Sequence, residues 1–330
     1  MERVDVGVLG ATGTVGRRIV RLLADALSPD EEGSLPESAA ALRLKDPGEA
    51  WQAPVILSSI PSAVARDLEA ELAGAGHLVV SNASAYRMDS AVPLMVPEVN
   101  PEHLVLLDAQ RGRWEGGIVT NPNCSVVGLV VALAPLHRAF GVTRVLVTTL
   151  QAISGAGRPG PAAGDLLDNV LPFIAGEEEK LAAEPRKILG RVGDGGVRAA
   201  EIELSPSVHR VPVSHGHLLA VSVELEGAPT PEEAAGVMSA FTPPEEVRSL
   251  PTAPSRLLRV LDAPDRPQPR LDRDEGRGMT VTVGRVRPCP VLDLKFSVLS
   301  HNLFRGAAGA AVLNAELCRA RGVVGSGVSS

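Results

Sequence analysis

Short β-branched runs alternate along the chain with longer stretches whose apolar residues recur every three or four positions. Val4 to Leu9 reads as a buried strand, and Val15, Ile19, Leu22, Leu23 and Ala26 then fall on one face of a helix. Val55 to Ile60 predicts a second strand, Pro61 to about Ala75 a helix, and Leu78 to Ser81 a third strand. Leu104 to Leu107 and Gly117 to Thr120 predict further strands, and Val126 to Leu136 a long apolar helix. Such alternation predicts an α/β fold: a Rossmann-type, doubly wound parallel sheet. Beyond it, Val142 to Leu150, Val208 to Val213, Leu218 to Leu225, Met279 to Val286 and Val291 to Leu299 read as longer strands. They predict an α+β second unit, with helices at Ala162 to Ile174 and from about Pro231. A final helix is predicted from Arg305 to Arg319, with a loose tail after Gly325. Residues 28–54 hold no strand-like run, although a dinucleotide fold needs a strand there to read the adenosine ribose. Asp30 stands at about the right distance, with no strand to deliver it.

Composition narrows the functions. A chain of 330 residues fits two domains. A net charge of −7 with no basic stripe argues against nucleic-acid binding, and 2% aromatic residues leave little for base stacking. No apolar run reaches membrane-spanning length, and the first residues lack a signal-peptide shape, so cytoplasm is expected. Cys124, Cys289 and Cys318 show no paired spacing, which fits a reducing compartment. His215 and His217 lie close together with no further ligand nearby in sequence, so no metal site is expected.

Two turns carry candidate chemistry. Gly10-Ala-Thr-Gly-Thr-Val-Gly16 joins the first strand to the first helix. Glycines there let the backbone approach a pyrophosphate, whose charge the helix N-terminus receives. Thr120-Asn-Pro-Asn-Cys124-Ser125 joins a strand to the apolar helix. A cysteine in the first helical turn meets free N–H groups and the positive end of the dipole, which favour the attacking thiolate. The bland reading is a small buried hydrophobe. Arg87 sits in a polar loop at a strand end, where open α/β sheets bind ligands, and Gln151 ends a strand before a small-residue loop.

Read together, these segments resemble the aspartate-semialdehyde dehydrogenase family in its archaeal and fungal branch. The resemblance runs in order through GATGTVG (10–16), SNASAYRM (81–88), VPLMVPEVNP (92–101), GGIVTNPNCS (116–125) and TTLQAISGAG (148–157). It continues through LDNVLPFIAGEEEK (167–180), KILG (187–190), HRVPVSHGH (209–217), DRPQPRLDRDEGRGMTVTVGR (265–285) and HNLFRGAAGAAVLNAE (301–316). It implies reversible, NADP-dependent reductive dephosphorylation of L-aspartyl 4-phosphate through an acyl-thioester on Cys124. NAD remains open as the cofactor. By the same resemblance His217 is the general acid/base, Gln151 orients the thioester carbonyl and Arg210 grips the substrate α-carboxylate. Glu184 meets the α-amino group, and Arg87, Asn123 and Lys187 hold phosphate. Gly10, Thr12, Gly13, Thr14, Val15, Ser154, Gly155 and Asn302 line the cofactor. A discontinuous nucleotide domain is implied, residues 1–123 plus 303–330, with residues 124–302 as the catalytic and dimerisation domain. The implied assembly is a homodimer or homotetramer.

Several positions depart from the family. Val208-His209 replaces Cys-Asn before Arg210, His215 replaces Asp, and Pro185 interrupts the helix carrying Glu184. A proline inside a helix costs ~3 kcal/mol, unless Glu184 caps a restarted helix. On residue type alone, Glu177 to Glu179 is a solvated helix face, His215 is structural or solvent-facing, His217 could be a core histidine and Arg210 an ion-pair partner. Two other functions share these motifs: an acyl-CoA reductase resembling the malonyl-CoA reductases, and a catalytically weak paralogue.

Overall fold

Four short strands, β1 (Val6–Leu9), β2 (Val55–Ser58), β3 (Leu78–Ser81) and β4 (Gly117–Thr120), lie side by side in sequence order, all parallel. The structure, a computed structural model, describes residues 4–24, 52–157, 160–193 and 195–323. Asp30, most of the strand-poor segment 28–54 and the tail after Gly325 lie outside the described residues.

Alternation within the strands sends side chains to both faces of this sheet. Val55, Leu57 and Val80 pack with Ile19 of α1 (Thr14–Leu23) and with Ala308, Ala311 and Val312 near the C-terminus. Ile56, Val79 and Ile118 pack on the opposite face with Leu72 and Ala73 of α2 (Ser62–Gly74). Helices on both faces make the sheet doubly wound, as expected.

The long strands form a six-stranded sheet. Its members are β5 (Val142–Gln151), β8 (Glu203–Arg210), β9 (His217–Leu225), β10 (Leu258–Leu261), β11 (Val281–Pro288) and β12 (Leu294–Ser300), in the order β10-β11-β12-β9-β5-β8. A separate hairpin pairs β6 (Arg191–Gly193) with β7 (Gly196–Arg198). One face of the large sheet is covered by α3 (Cys124–Phe140), whose residues Ser125 to Leu136 are all buried. They share one core with Val145, Val147, Leu219, Val221, Phe296 and Val298. A fully buried Val or Leu contributes roughly 1.5–3 kcal/mol, so packing fixes this helix despite its weakly helix-forming valines. Arg144 and Leu146 point to the other face of β5 and are exposed.

Several elements differ from their sequence pattern. Leu104 to Leu107 is helical, split between a 3-10 turn (Pro101–Val105) and a short helix (Leu106–Gln110). Pro101 at the first position starts the turn, because proline presets the helical φ. Ala162 to Ile174 keeps only one helical turn, Ala163–Leu166. Asp168 adopts φ +56°, and Leu171 pairs as an isolated bridge with Arg210. The strand expected at Val208 to Val213 instead spans Glu203–Arg210, pairing parallel to β5 at the sheet edge. Pro185 does not restart a helix: α4 runs unbroken from Glu177 to Ile188 with the proline inside it. The C-terminal helix α5 (Gly309–Ala320) is preceded by a π turn, Phe304–Ala308.

A buried ion pair ties that turn to the loop after β3. Arg305 donates from Nη1 to Glu98 Oε1 at 2.7 Å and from Nε to the Met279 carbonyl at 2.7 Å, and both residues of the pair are 1% exposed or less. Removing one partner strands a buried charge. Glu98→Ala is expected to destabilise the protein by ~3–5 kcal/mol, read as a lower urea midpoint than that of the wild type.

Candidate active site

Sheet register brings three of the candidate side chains to one edge. Strands β5 and β8 run parallel, so their C-terminal residues coincide and Gln151 pairs with Arg210. Strand β9 runs antiparallel to β5, which returns its first residue, His217, to that edge. Strand β12 is antiparallel to β9 and pairs Ser300 with His217, so Asn302 follows at the same place. Cys124 opens α3 against this edge, with Sγ 3.2 Å from His217 Nε2.

Local contacts fix the imidazole. The Ala152 N–H donates to His217 Nδ1 at 3.0 Å, and the Ala152 carbonyl accepts from Arg210 Nη1 at 2.8 Å. An acceptor Nδ1 leaves the neutral ring's proton on Nε2, directed at sulfur. Gly155 permits this crowding: a Cβ there would sit 2.8 Å from Arg210 Nη1 and 2.9 Å from His217 Cε1. On the other side, a Cβ at Gly306 in the π turn would lie 2.6 Å from that of Cys124. His217 meets the thiol directly, and Arg210 lies near enough to favour its ionisation.

The turn before Cys124 is held by two carboxylates of α4. Asn123 caps α3, its Oδ1 accepting from the Ser125 N–H at 2.9 Å. Its Nδ2 donates to both oxygens of Glu177 at 2.9 Å, and its backbone N–H donates to Glu184 Oε2 at 2.6 Å. Glu184 Oε1 accepts from Arg87 Nη1 at 2.9 Å, while Arg87 Nη2 reaches the Asn82 carbonyl at 2.7 Å. Glu177 also accepts from Gln151 Nε2 at 3.1 Å and from Lys180 Nζ at 2.9 Å. Glu177 is therefore buried in the site and is not part of a solvated face. The Lys187 ammonium is bonded to three backbone carbonyls, those of Arg87, Asp89 and Val92.

The missed residues, Glu177 and Lys180, had one legible signal. Residues 177, 180, 184 and 187 follow helical spacing, so charge occupies the stripe where a buried face would be apolar. The neighbours Glu178 and Glu179 do face solvent.

Electrostatics in the site oppose ionisation of the thiol. Burial, and then the Glu177 carboxylate, push Cys124 up to about 12, against the pull of Arg87, Arg210 and Lys180. Burial and the Glu177 carboxylate thus work against the thiolate that the helix N-terminus favours. Burial, with Arg210 adding to it, pushes His217 down to about 3, so the imidazole is neutral. Burial likewise brings Lys187 to about 8, although Asp89 and Glu184 favour its charge.

The glycine turn fits a dinucleotide. Gly10 adopts φ +73°, and a Cβ at Gly16 would lie 2.1 Å from the Gly10 carbonyl oxygen, so backbone fills the space a side chain would need. Helix α1 has no side-chain cap and no acidic residue in its first turn, and Thr12 and Gly13 are exposed. An open, uncapped N-terminus of this kind suits a pyrophosphate. Thr14 and Val15 begin the helix. Farther on, Asn302 Nδ2 donates to Ser154 Oγ at 2.9 Å and Asn302 Oδ1 accepts from the Gly216 N–H at 2.9 Å, tying the loop after β5 to the start of β9. His215 Nδ1 lies 2.8 Å from the same Ser154 oxygen, and its ring stacks on His301 with centroids 5.7 Å apart. Among the described residues no group of three or more His, Cys, Asp or Glu could hold a metal ion, and no helix is long and apolar enough to cross a membrane.

A dinucleotide turn on one sheet and a cysteine–histidine pair at the edge of another define a thiol-dependent dehydrogenase. The family model for the semialdehyde dehydrogenase NAD binding domain matches residues 5–107, and that for the semialdehyde dehydrogenase dimerisation domain matches residues 133–305. The aspartate-semialdehyde dehydrogenase of Archaeoglobus fulgidus is 45% identical, over 96% of this chain and 98% of its own. That of Cryptococcus neoformans is 41% identical over 98% of each chain. The crystal structure of the Candida albicans aspartate-semialdehyde dehydrogenase with NADP matches with a TM-score of 0.88 and 37% identity, over 98% of this chain and 100% of that one. The chain belongs to the aspartate-semialdehyde dehydrogenase family.

The opposed charges around Cys124 can be tested chemically. In a Cys289→Ser background, alkylation of Cys124 by iodoacetamide is expected to climb through the alkaline range without levelling near neutrality. Glu177→Gln removes the negative charge that disfavours the thiolate, so alkylation at pH 7 should rise roughly threefold to tenfold, one pKa unit being tenfold in thiolate. An unchanged rate would show that Glu177 does not set the thiol's ionisation.

Proposed function

We propose that this protein reduces L-aspartyl 4-phosphate to L-aspartate 4-semialdehyde with NADPH, releasing phosphate, in the aspartate-family amino-acid pathway. The observation that carries this reading is the contact between Cys124 Sγ and His217 Nε2 at 3.2 Å, beside a buried carboxylate and two buried arginines. Cys124 attacks the acyl carbon as a thiolate. The new C–S bond forms as the C–O bond to phosphate breaks, leaving an acyl-thioester and inorganic phosphate. When bound, NADPH would supply the hydride that takes the acyl carbon to the aldehyde level. The thiol proton leaves with the phosphate as hydrogen phosphate while His217 stabilises the developing thiolate through Nε2–H, and His217 relays a proton from solvent to sulfur when the C–S bond breaks. The glycine turn, Thr12 to Val15, would hold the pyrophosphate, while Ser154, Gly155 and Asn302 would line the cofactor.

Arg210 holds the substrate α-carboxylate, and Arg87 meets the phosphate: its Nε is buried without a hydrogen-bond partner. Gln151 orients the acyl oxygen. Glu177 meets the α-ammonium group, since its carboxylate and not that of Glu184 acts on the Cys124 thiol, and the ammonium joins Lys180 on it. That ammonium would offset the charge that raises the Cys124 thiol.

The packing of Ala308, Ala311 and Val312 on the parallel sheet supports a discontinuous nucleotide domain, residues 1–123 plus 303–330, around a catalytic and dimerisation unit at 124–302. A homodimer or homotetramer fits the exposed apolar side chains Leu146, Leu167, Val170 and Phe173 on the second unit. A cytoplasmic location fits three free cysteines.

The direct test is absorbance at about 340 nm, the reduced nicotinamide band, with purified protein, L-aspartate 4-semialdehyde, phosphate and either NADP or NAD. Phosphate-dependent cofactor reduction is expected with NADP. Cys124→Ala should remove it, lowering the rate by more than about a thousandfold, as losing a covalent nucleophile does. Absence of turnover by the folded wild type would overturn the reading.

A further inference from the structure

The Ser154 hydroxyl, in the loop after β5, meets two side chains from distant parts of the chain. Asn302 Nδ2 lies 2.9 Å from Oγ and His215 Nδ1 lies 2.8 Å from it. The orientation of Asn302 is fixed, because its Oδ1 accepts from the Gly216 N–H. Its amide nitrogen therefore faces Ser154 as a donor and fills one lone pair of the hydroxyl. A hydroxyl has one proton and two lone pairs. Of these two neighbours only the imidazole can take the proton, and only while its Nδ1 is bare. An imidazolium carries N–H on both ring nitrogens and can only donate. It then fills the second lone pair, and the serine proton is released from the contact. Ser154 is half-buried and Gly155 beside it is exposed, so a ligand can reach the hydroxyl.

The surroundings place this choice on His215. Its ring stacks on His301, with centroids 5.7 Å apart and planes 20° from parallel. His301 Nδ1 accepts from the Leu303 and Phe304 N–H groups, and its Nε2 lies 3.8 Å from Asp274 Oδ1. Burial pushes His301 down to about 3, with His215, Arg18, Arg273 and His217 adding to it. His217 is likewise held neutral by burial and Arg210. The charged groups facing the ring pair are Arg273 and Asp274, from the segment before β11, and Arg18 of α1. Arg273 Nη1 reaches the His215 carbonyl at 3.5 Å. Arg18 lies 6.0 Å from the Phe304 ring, which meets His301 edge-on at 4.9 Å.

We propose that His215 is a positioning residue for Ser154: the imidazolium donates to Oγ and frees the serine proton for the cofactor, whereas the neutral ring takes that proton for itself. This rests on the reading that Ser154 lines the NADP site. Binding to the protonated form takes up a proton, so the contribution of Ser154 to NADP affinity is present at low pH and falls as pH rises.

The test is NADP binding by calorimetry at about pH 5.5 and about pH 8.5, on either side of an ordinary imidazole's titration. The proteins are the wild type, Ser154→Ala, His215→Asn and the double variant. Ratios of dissociation constants at one pH cancel the titration of the nucleotide's own phosphate. Ser154→Ala should weaken binding roughly threefold to tenfold at the lower pH, the worth of one hydrogen bond, and less than about twofold at the higher. In the His215→Asn background, whose amide does not titrate, the Ser154→Ala ratio should be the same at both pH values. Wild-type binding in two buffers of different ionisation heat should show proton uptake that Ser154→Ala reduces. That comparison decides the matter if the asparagine variant does not fold. A Ser154→Ala ratio equal at both pH values in the presence of His215 would overturn the proposal, as would a pH-dependent ratio that survives His215→Asn. Wild-type protein that binds no NADP at either pH would remove the reading of Ser154 as a cofactor residue, and the proposal with it.

Discussion

Register between neighbouring strands is the constraint on which the site depends. Gln151 and Arg210 are opposite one another because β5 and β8 are parallel and in step. His217 joins them because β9 returns antiparallel. A slip of one residue would turn every side chain of a strand to the other face. The apolar side of the sheet forbids that slip, since Val145, Val147, Leu219 and Val221 are packed beneath α3. The same packing holds Cys124, because the residues that seat the helix follow the cysteine directly. Stability and catalysis are thereby coupled: the core that keeps the fold also sets the distance between sulfur and imidazole.

Around this frame the site is a balance of buried charge. Glu177 stands between donors from Asn123, Gln151 and Lys180. Arg87 is paired with Glu184. Isolated buried charges are costly, and such pairing keeps each of them tolerable. The arrangement is not neutral toward the thiol: burial first, and then the Glu177 carboxylate, disfavour its ionisation. A substrate that brings its own ammonium, carboxylate and phosphate completes the set of charges.

Much of the fold was legible because buried strands and amphipathic helices have distinct periods. The glycine turn, the Cys124 turn, Gln151 and His217 could be placed from sequence, since each ends or begins a clear apolar run. Leu104 to Leu107 misled because four apolar residues suit a strand or a buried helix equally, and Pro101 decided the matter. Val208 to Val213 misled because β8 is an edge strand of alternating polar residues, recognisable only once β5 is beside it. Glu177 was obscured by its two exposed neighbours, Glu178 and Glu179, while the spacing to residues 180, 184 and 187 held the signal. Lys187 could not be assigned from spacing at all, for its partners are backbone carbonyls about 100 residues earlier in the chain, which no local pattern encodes.

Helix α4 carries both carboxylates, Lys180 and Lys187, yet none of the atoms that exchange bonds during thioester chemistry. Those belong to α3 and to the strand ends. Reaction and the recognition of the ammonium group therefore reside on separable pieces of the chain. A protein of this build could acquire a different acyl group by changing one stripe of one helix while leaving sulfur, imidazole and sheet register untouched. The helix is thus the natural place for divergence, and for redesign, within an otherwise fixed catalytic chassis.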